Sequence, residues 1–374
     1  EALRRREFPV VEQGVFLGHA GVCPLPRRVA EAAAAHARDA SRADQEEAVA
    51  PGTLSGTRQL AARLLGADPA EIALVGPTSL ALSFIAAGLR FRRGDQVLVY
   101  RDDYPSNVYP WLALASQGVK IRYLNVRELG RLRPIDLEGQ LDESVRLVAL
   151  SSAHYLSGWR LDVLAIGALL RRRGILFCLD AIQTLGAFPT PVANVDILAA
   201  DAHKWLLGPC AAGILYVRKE VRPQIRPVVH GWHNLQCPDY LTQDDLVFHE
   251  GPRRYEAGTH NFIGLHGLKA ALELVQEVGV GAIAAELARK RLWLVPRLQA
   301  KGYTVLQGDA HADNAGGITS IHREGTDLKA LHRKLREAGV TTSLRILPGG
   351  QPVLRLSPHF YNTDEELQRC LDLL

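Results

Sequence analysis

The chain runs to 374 residues with 47% hydrophobic and 22% charged residues. These are the proportions of an ordinary globular protein, with weight for two domains, and they exclude disorder and collagen-like repeats. A formal net charge of +4 points to neither nucleic acid nor an acidic membrane surface, and no apolar stretch approaches the roughly 20 residues of a bilayer span.

The first ten residues are charged rather than signal-like. Residues 32–35 are a run of alanines, plain helix formers, and a short strand ending at Val75 opens a helix over 80–89. Further on, short runs rich in Val, Ile and Leu alternate with helical stretches. Residues 96–100 (QVLVY), 119–124, 146–151 (RLVALS), 175–180 (ILFCLD) and 196–200 read as buried strands. Between them, 107–117 and 161–173 read as helices, the second closed by arginines and Gly174. Such βαβ units imply a mainly parallel sheet covered on both faces. Residues 211–217 add a strand after a Gly-Pro turn.

From about residue 261 the texture changes. Helical patterns cover 265–278 and 282–300; strands at 303–306 and 317–322, a helix over 327–338 and a last helix from Thr363 follow. The expected architecture is α/β: a large domain over 14–260 and a smaller α+β C-terminal domain over 261–374, joined by residues 1–13. Five scattered cysteines (Cys23, Cys178, Cys210, Cys237, Cys370) contain no CxxC pair. They argue against disulfides and a zinc knuckle and for a cytoplasmic protein without a metal.

In open α/β sheets the ligand sits beyond the carboxyl ends of the strands. Two predicted strands deliver unusual residues there: Asp180 with Gln183, and Asp201 with His203, Lys204 and Trp205. Only eight of the 44 cations are lysines, and Lys204 alone lies in an apolar segment. A lysine in a low-dielectric pocket is driven towards the neutral amine that forms Schiff bases. Asp180 alone would serve as a helix N-cap, and Lys204 alone as a snorkelling cation. Together with Gln183 they supply the amine, carboxylate and donor that a pyridoxal phosphate site requires. Thr78 and Ser79, at the start of a helix, form an anion site suited to its phosphate, although a simple N-cap explains them equally well.

These residues resemble the class V aminotransferase family of pyridoxal-phosphate enzymes, which includes cysteine desulfurases and isopenicillin-N-epimerase-like proteins. The resemblance rests on LDAIQ (179–183), DAHKWLLGP (201–209), AGILYV (212–217), YEAGTHN (255–261) and RLSPHFYNT (355–363), and extends over nearly the whole chain from GHAG (18–21). It implies the fold type I of pyridoxal-phosphate-dependent transferases, with a mostly parallel seven-stranded-type sheet. It assigns Lys204 as the cofactor-binding lysine and proton shuttle, Asp180 as partner of the ring nitrogen and Gln183 as donor to the phenolic oxygen. His203 would help hold the phosphate, Tyr104 would stack on the cofactor, and Arg355 would grip the substrate α-carboxylate, with Arg345 a weaker candidate. Gly258 and Thr259 would reach the phosphate of a neighbouring subunit, implying a homodimer with shared sites.

Three departures stand out. Asp201 replaces a small hydroxyl residue common beside the phosphate, and its carboxylate is expected to point elsewhere. No asparagine stands near His154 or Tyr155, and Gly18 replaces an asparagine. Residues 341–358 contain no cysteine, so a persulfide-forming desulfurase is disfavoured. Transamination and β-elimination of an amino acid (a C–S or C–Se lyase) lead. Epimerisation, with His19, His154 or Tyr104 as second base, is an alternative, and a non-catalytic binding protein on the same scaffold is another.

Overall fold

The computed structural model describes residues 2–374. Its strands are β1 (Val15–Phe16), β2 (Ile72–Leu74), β3 (Gln96–Val99), β4 (Lys120–Tyr123), β5 (Val145–Ser151), β6 (Leu176–Asp180), β7 (Ile197–Asp201) and β8 (Gly213–Val217). β9 (Thr304–Val305), β10 (Thr319–His322), β11 (Val340–Thr341), β12 (Ser343–Ile346) and β13 (Pro352–Leu356) follow. Among the described residues the large sheet has seven strands in the order β2-β8-β7-β6-β5-β3-β4. Neighbours from β4 to β7 are parallel, whereas β8 is antiparallel to both β7 and β2.

The period-2 alternation of strand side chains divides the core into two layers. Val148, Leu150, Leu179 and Leu198 pack with Leu60 and Leu65 of the helix Thr53–Leu65 and with Leu268 of the helix Phe262–Val278. Leu147, Ala149, Cys178 and Ile197 face the other way, onto Leu82 and Ile85 of the helix Thr78–Gly88. β4 departs from the expected buried strand. It is an edge strand with Lys120 exposed, and charge on an edge opposes pairing with another chain. The helix expected over 107–117 is broken into Pro105–Asn107, Tyr109–Leu112 and Ala113–Gln117. Pro105 and Pro110 remove two backbone donors, and Val108 between them is non-helical. The helices Arg27–Asp39 and Thr53–Leu65 carry no strong sequence signal beyond the alanine run.

The smaller sheet, β12-β13-β10-β9, is antiparallel. Its core joins Ile321, Leu354 and Leu356 to Leu294 and Leu298 of the helix Val280–Ala300 and to Leu367 and Leu371 of the helix Asp364–Leu373. β1 pairs with β11, so the amino-terminal strand lies against the C-terminal part of the chain. Among the described residues no helix is long and apolar enough to cross a membrane, and all five cysteines are free.

The two sheets meet around Trp205, which is fully buried beside Lys204. Its indole Nε1 donates to Gln183 Oε1 at 2.9 Å, and its backbone carbonyl bonds His359 Nε2 at 3.1 Å. His359 Nδ1 accepts from the N–H of Phe360 at 2.8 Å, so this ring fits only as the neutral tautomer protonated at Nε2. Burial holds its pKa down to about 4, with the charge of Lys290 acting in the same direction and the Trp205 carbonyl opposing. Gly317 touches the same indole: a Cβ there would stand 2.4 Å from the ring.

Two outcomes follow from this junction. The folded pKa of His359 lies below the unfolded value of 6.5, so the unfolded chain binds more protons between these values. Stability is then lost as pH falls from 6.5 towards 4, by up to about 1.4 kcal/mol per pH unit from this residue. Urea titrations across that range should show the slope, and His359→Gln should flatten it. Gly317→Ala should cost about 1–3 kcal/mol through overpacking, read as a lower denaturation midpoint at unchanged m.

Candidate active site

Asp180 and Asp201 end the adjacent parallel strands β6 and β7, where the open end of the sheet presents its side chains. The chain then turns back through residues 202–212 to form β8, and so short a return can only make an antiparallel neighbour. The Asp201 carboxylate holds this return. It accepts from the N–H groups of Ala202, Ala211 and Ala212 at 2.9–3.0 Å and bonds His203 Nδ1 at 2.7 Å. Burial alone would raise its pKa, but the bonds to His203 and to the backbone hold it low. The anion therefore points into the turn.

Lys204 stands early in this return, three residues past the end of β7, and is 7% exposed. Among the described residues its Nζ has no hydrogen-bond or ion-pair partner and lies 5.3 Å from the centre of the Tyr104 ring. Lys290 is as deeply buried but ion-pairs with Glu286 and donates to the Phe360 carbonyl, so a missing partner, not burial, distinguishes Lys204. Burial lowers the pKa of Lys204, against the attraction of Asp180 and with the repulsion of Arg355 and Arg345. Burial raises that of Asp180, one oxygen of which accepts from the N–H of Ile182 at 3.0 Å.

A cavity of about 310 Å³ brings Lys204 together with Asp180, Gln183, His203, Thr78, Ser79, Tyr104, Arg345 and Arg355. Gln183 is largely committed, its Nε2 donating to Ala20 O at 3.2 Å and its Oε1 accepting from Trp205, which leaves one amide hydrogen for a ligand. Thr78 and Ser79 begin their helix after Pro77 with no side-chain cap, so their N–H groups are open to an anion. The Thr78 hydroxyl accepts from the N–H of Asp201 at 2.8 Å, tying this helix start to β7.

Tyr155 was not singled out from the sequence. Its ring meets Tyr104 edge-on at 5.3 Å and its carbonyl accepts from Arg355 Nη1 at 2.8 Å. Asp103 seats the Tyr104 loop by accepting from the N–H groups of Tyr104 and Ser151. His19 and His154, weighed as bases, each have both ring nitrogens engaged and do not line the cavity.

Gly258 and Thr259 lie outside this cavity and line a neighbouring one with Gly76 and Leu80. Their loop is anchored by buried Glu256, which accepts from the N–H of Leu74 at 2.8 Å, from Arg58 at 2.6 Å and from His260 at 3.0 Å. His233, Glu256 and His260 thus gather with ligand-type atoms within 4.8 Å of one another. The Arg58 guanidinium on the shared carboxylate gives the cluster the character of a structural knot.

The donor set suits pyridoxal phosphate: an unpaired buried amine, a buried carboxylate, an open helix start and a guanidinium with orphan donors. Comparison with known proteins agrees. The profile described as Aminotransferase class-V matches residues 15–370. A probable cysteine desulfurase of Methanothermobacter thermautotrophicus is 29% identical over 97% of this chain and 94% of its own length. The isopenicillin N epimerase of Streptomyces clavuligerus is 27% identical over 87% of this chain and 84% of its own. Among solved structures, the apo cysteine desulfurase of Thermococcus onnurineus NA1 superposes with a TM-score of 0.91 at 23% identity, covering 100% of this chain and 96% of that one.

Proposed function

The chain belongs to the aminotransferase class-V family of pyridoxal-phosphate-dependent enzymes, and we propose that within it Lys204 binds the cofactor for transamination or β-elimination of an amino acid. The observation that carries this reading is the unpaired Lys204 amine, buried in one cavity with Asp180 and Arg355. When bound, pyridoxal phosphate withdraws electrons from the bonds at the α-carbon of an amino acid joined to it.

In this reading the Lys204 Nζ would hold the cofactor aldehyde, and its amine would be the group that takes the proton from the α-carbon. Burial supports that role by favouring the neutral amine. Asp180 keeps the ring nitrogen protonated, and a cation delivered to that place offsets the cost of its buried carboxylate. The open N–H groups of Thr78 and Ser79, with His203, hold the phosphate, and Asp201 orients His203 through Nδ1. Gln183 donates to the phenolic oxygen, the Tyr104 ring covers one face, and Arg355 grips the α-carboxylate.

A persulfide route is disfavoured because no cysteine lines the cavity. Epimerisation would need a second base, and the engagement of His19 and His154 leaves only tyrosine. Gly258 and Thr259, displaced from their own chain's cavity, fit a role at the phosphate of a second copy. Exposed Tyr240, Leu241 and Leu246 in the preceding loop offer apolar surface for such a homodimer.

The purified protein with pyridoxal phosphate should show a visible absorption band that Lys204→Ala abolishes. Turnover should fall by at least about 100-fold in that variant, the range of a lost proton-transfer group. Asp180→Asn should keep the band but lose activity. A colourless wild-type protein under cofactor excess would overturn the proposal. Product analysis separates the reactions: a keto acid with aminated cofactor marks transamination, a released β-substituent marks elimination.

A further inference from the structure

Arg355 is 2% exposed on β13, and only its Nη1 is satisfied; Nε and Nη2 have no partner. Arg218, Arg222 and Arg254 each leave a buried Nε unpaired, but among the described residues only Arg355 leaves a buried Nη so as well. Arg291, 6% exposed, places Nη1 on the Ile318 carbonyl and Nη2 on the Gln307 carbonyl at 2.6 Å each. Arg345 on β12 bonds only the Leu344 carbonyl, through Nη1, and neither Arg345 nor Arg355 has an ion-pair partner among the described residues.

The register of the small sheet brings the two together. Ser343 pairs with Arg355, and Arg345, two residues further along the same strand, points to the same face as a diagonal neighbour. Their Nη2 atoms converge: a Cβ built on Gly21 would stand 3.9 Å from that of Arg355 and 4.0 Å from that of Arg345. A side chain at position 21 would put its Cβ in van der Waals contact with both guanidinium groups and 3.2 Å from the Gly18 carbonyl oxygen.

Two guanidinium groups facing one space repel each other unless an anion enters between them. The repulsion is visible in Arg355, whose pKa burial and then Arg345 push down to about 9. Among the described residues Asp180 is the only acid lining the cavity. If Asp180 serves the ring nitrogen and the Thr78 helix start serves the phosphate, no anion of protein or cofactor remains for these arginines. They differ in depth as well: Arg355 is buried, Arg345 half-buried nearer the mouth.

We propose that the substrate is an acidic amino acid, its α-carboxylate held by Arg355 and a side-chain carboxylate by Arg345 across the gap over Gly21. This rests on the reading of the Lys204 cavity as an amino-acid site. Arg345 then sets specificity, because a charge-assisted guanidinium–carboxylate pair at a half-buried position discriminates against a substrate lacking the second charge.

The test uses holoenzyme and two kinds of probe. Calorimetry with succinate and glutarate against propionate reads the two-anion site without turnover; steady-state kinetics with aspartate and glutamate against alanine reads it with turnover. Dicarboxylates should bind tighter than propionate by about 10- to 100-fold, the range of a hydrogen-bonded charge pair. Arg345→Gln should collapse that ratio towards one, and Arg345→Lys should restore part of it. Gly21→Ala, which fills the gap, should lower it too. A wild-type ratio near one overturns the inference, as does an Arg345→Gln variant that weakens both ligand classes equally, for then both arginines clamp a single carboxylate. A protein that never acquires cofactor colour overturns the underlying reading, whereas a coloured enzyme indifferent to the second carboxylate overturns this inference alone.

Discussion

An amine and a carboxylate withdrawn from water at the ends of two adjacent strands set the terms for the rest of the molecule. Removing such groups from water costs several kcal/mol each unless geometry returns it. The return is local and specific. β6 and β7 end side by side, Asp180 takes the N–H of Ile182, and Asp201 spends its carboxylate on three backbone donors and His203 to fix the turn beneath Lys204. Trp205, Gln183 and His359 then close the space behind the lysine without offering it a partner. A residue held in this way is left unpaired by what surrounds it, and the paired Lys290 shows the ordinary alternative.

Much of this was legible from residue order. Unbroken apolar runs marked β3, β5, β6, β7 and β8, because strands buried on both faces admit little else. The carboxyl-end rule then drew attention to Asp180 and Lys204 without knowledge of contacts. The 107–117 region misled, since its apolar spacing is helical while Pro105 and Pro110 remove the donors that a continuous helix needs. Tyr155 and the neutral tautomer of His359 left no sequence signal, and the YEAGTHN motif held Glu256 and His260 without indicating Arg58 as the partner of Glu256. Each depends on a partner more than 20 residues away, and only the folded chain supplies it. Asp201 is an intermediate case: repulsion from a phosphate said where its carboxylate would not point, and the structure shows which four donors receive it.

The two sheets contribute different chemistry to one cavity. Lys204, Asp180 and the Thr78 helix start come from the large sheet and its helices, whereas both arginines come from β12 and β13 of the small one. The proposed catalytic groups and the proposed specificity groups therefore sit on separate scaffolds, joined through Trp205, Gly317 and His359. Substitutions at positions 343 and 345 share a face with Arg355, so they alter the ligand's surroundings while β6, β7 and the Lys204 turn stay as they are. A one-residue change of register turns a strand's side chains to the other face, which makes the Arg345 position a discrete setting. If the proposed role of Arg345 holds, a change of substrate on this scaffold needs only a change in what one edge of a small sheet presents to the space beside Gly21.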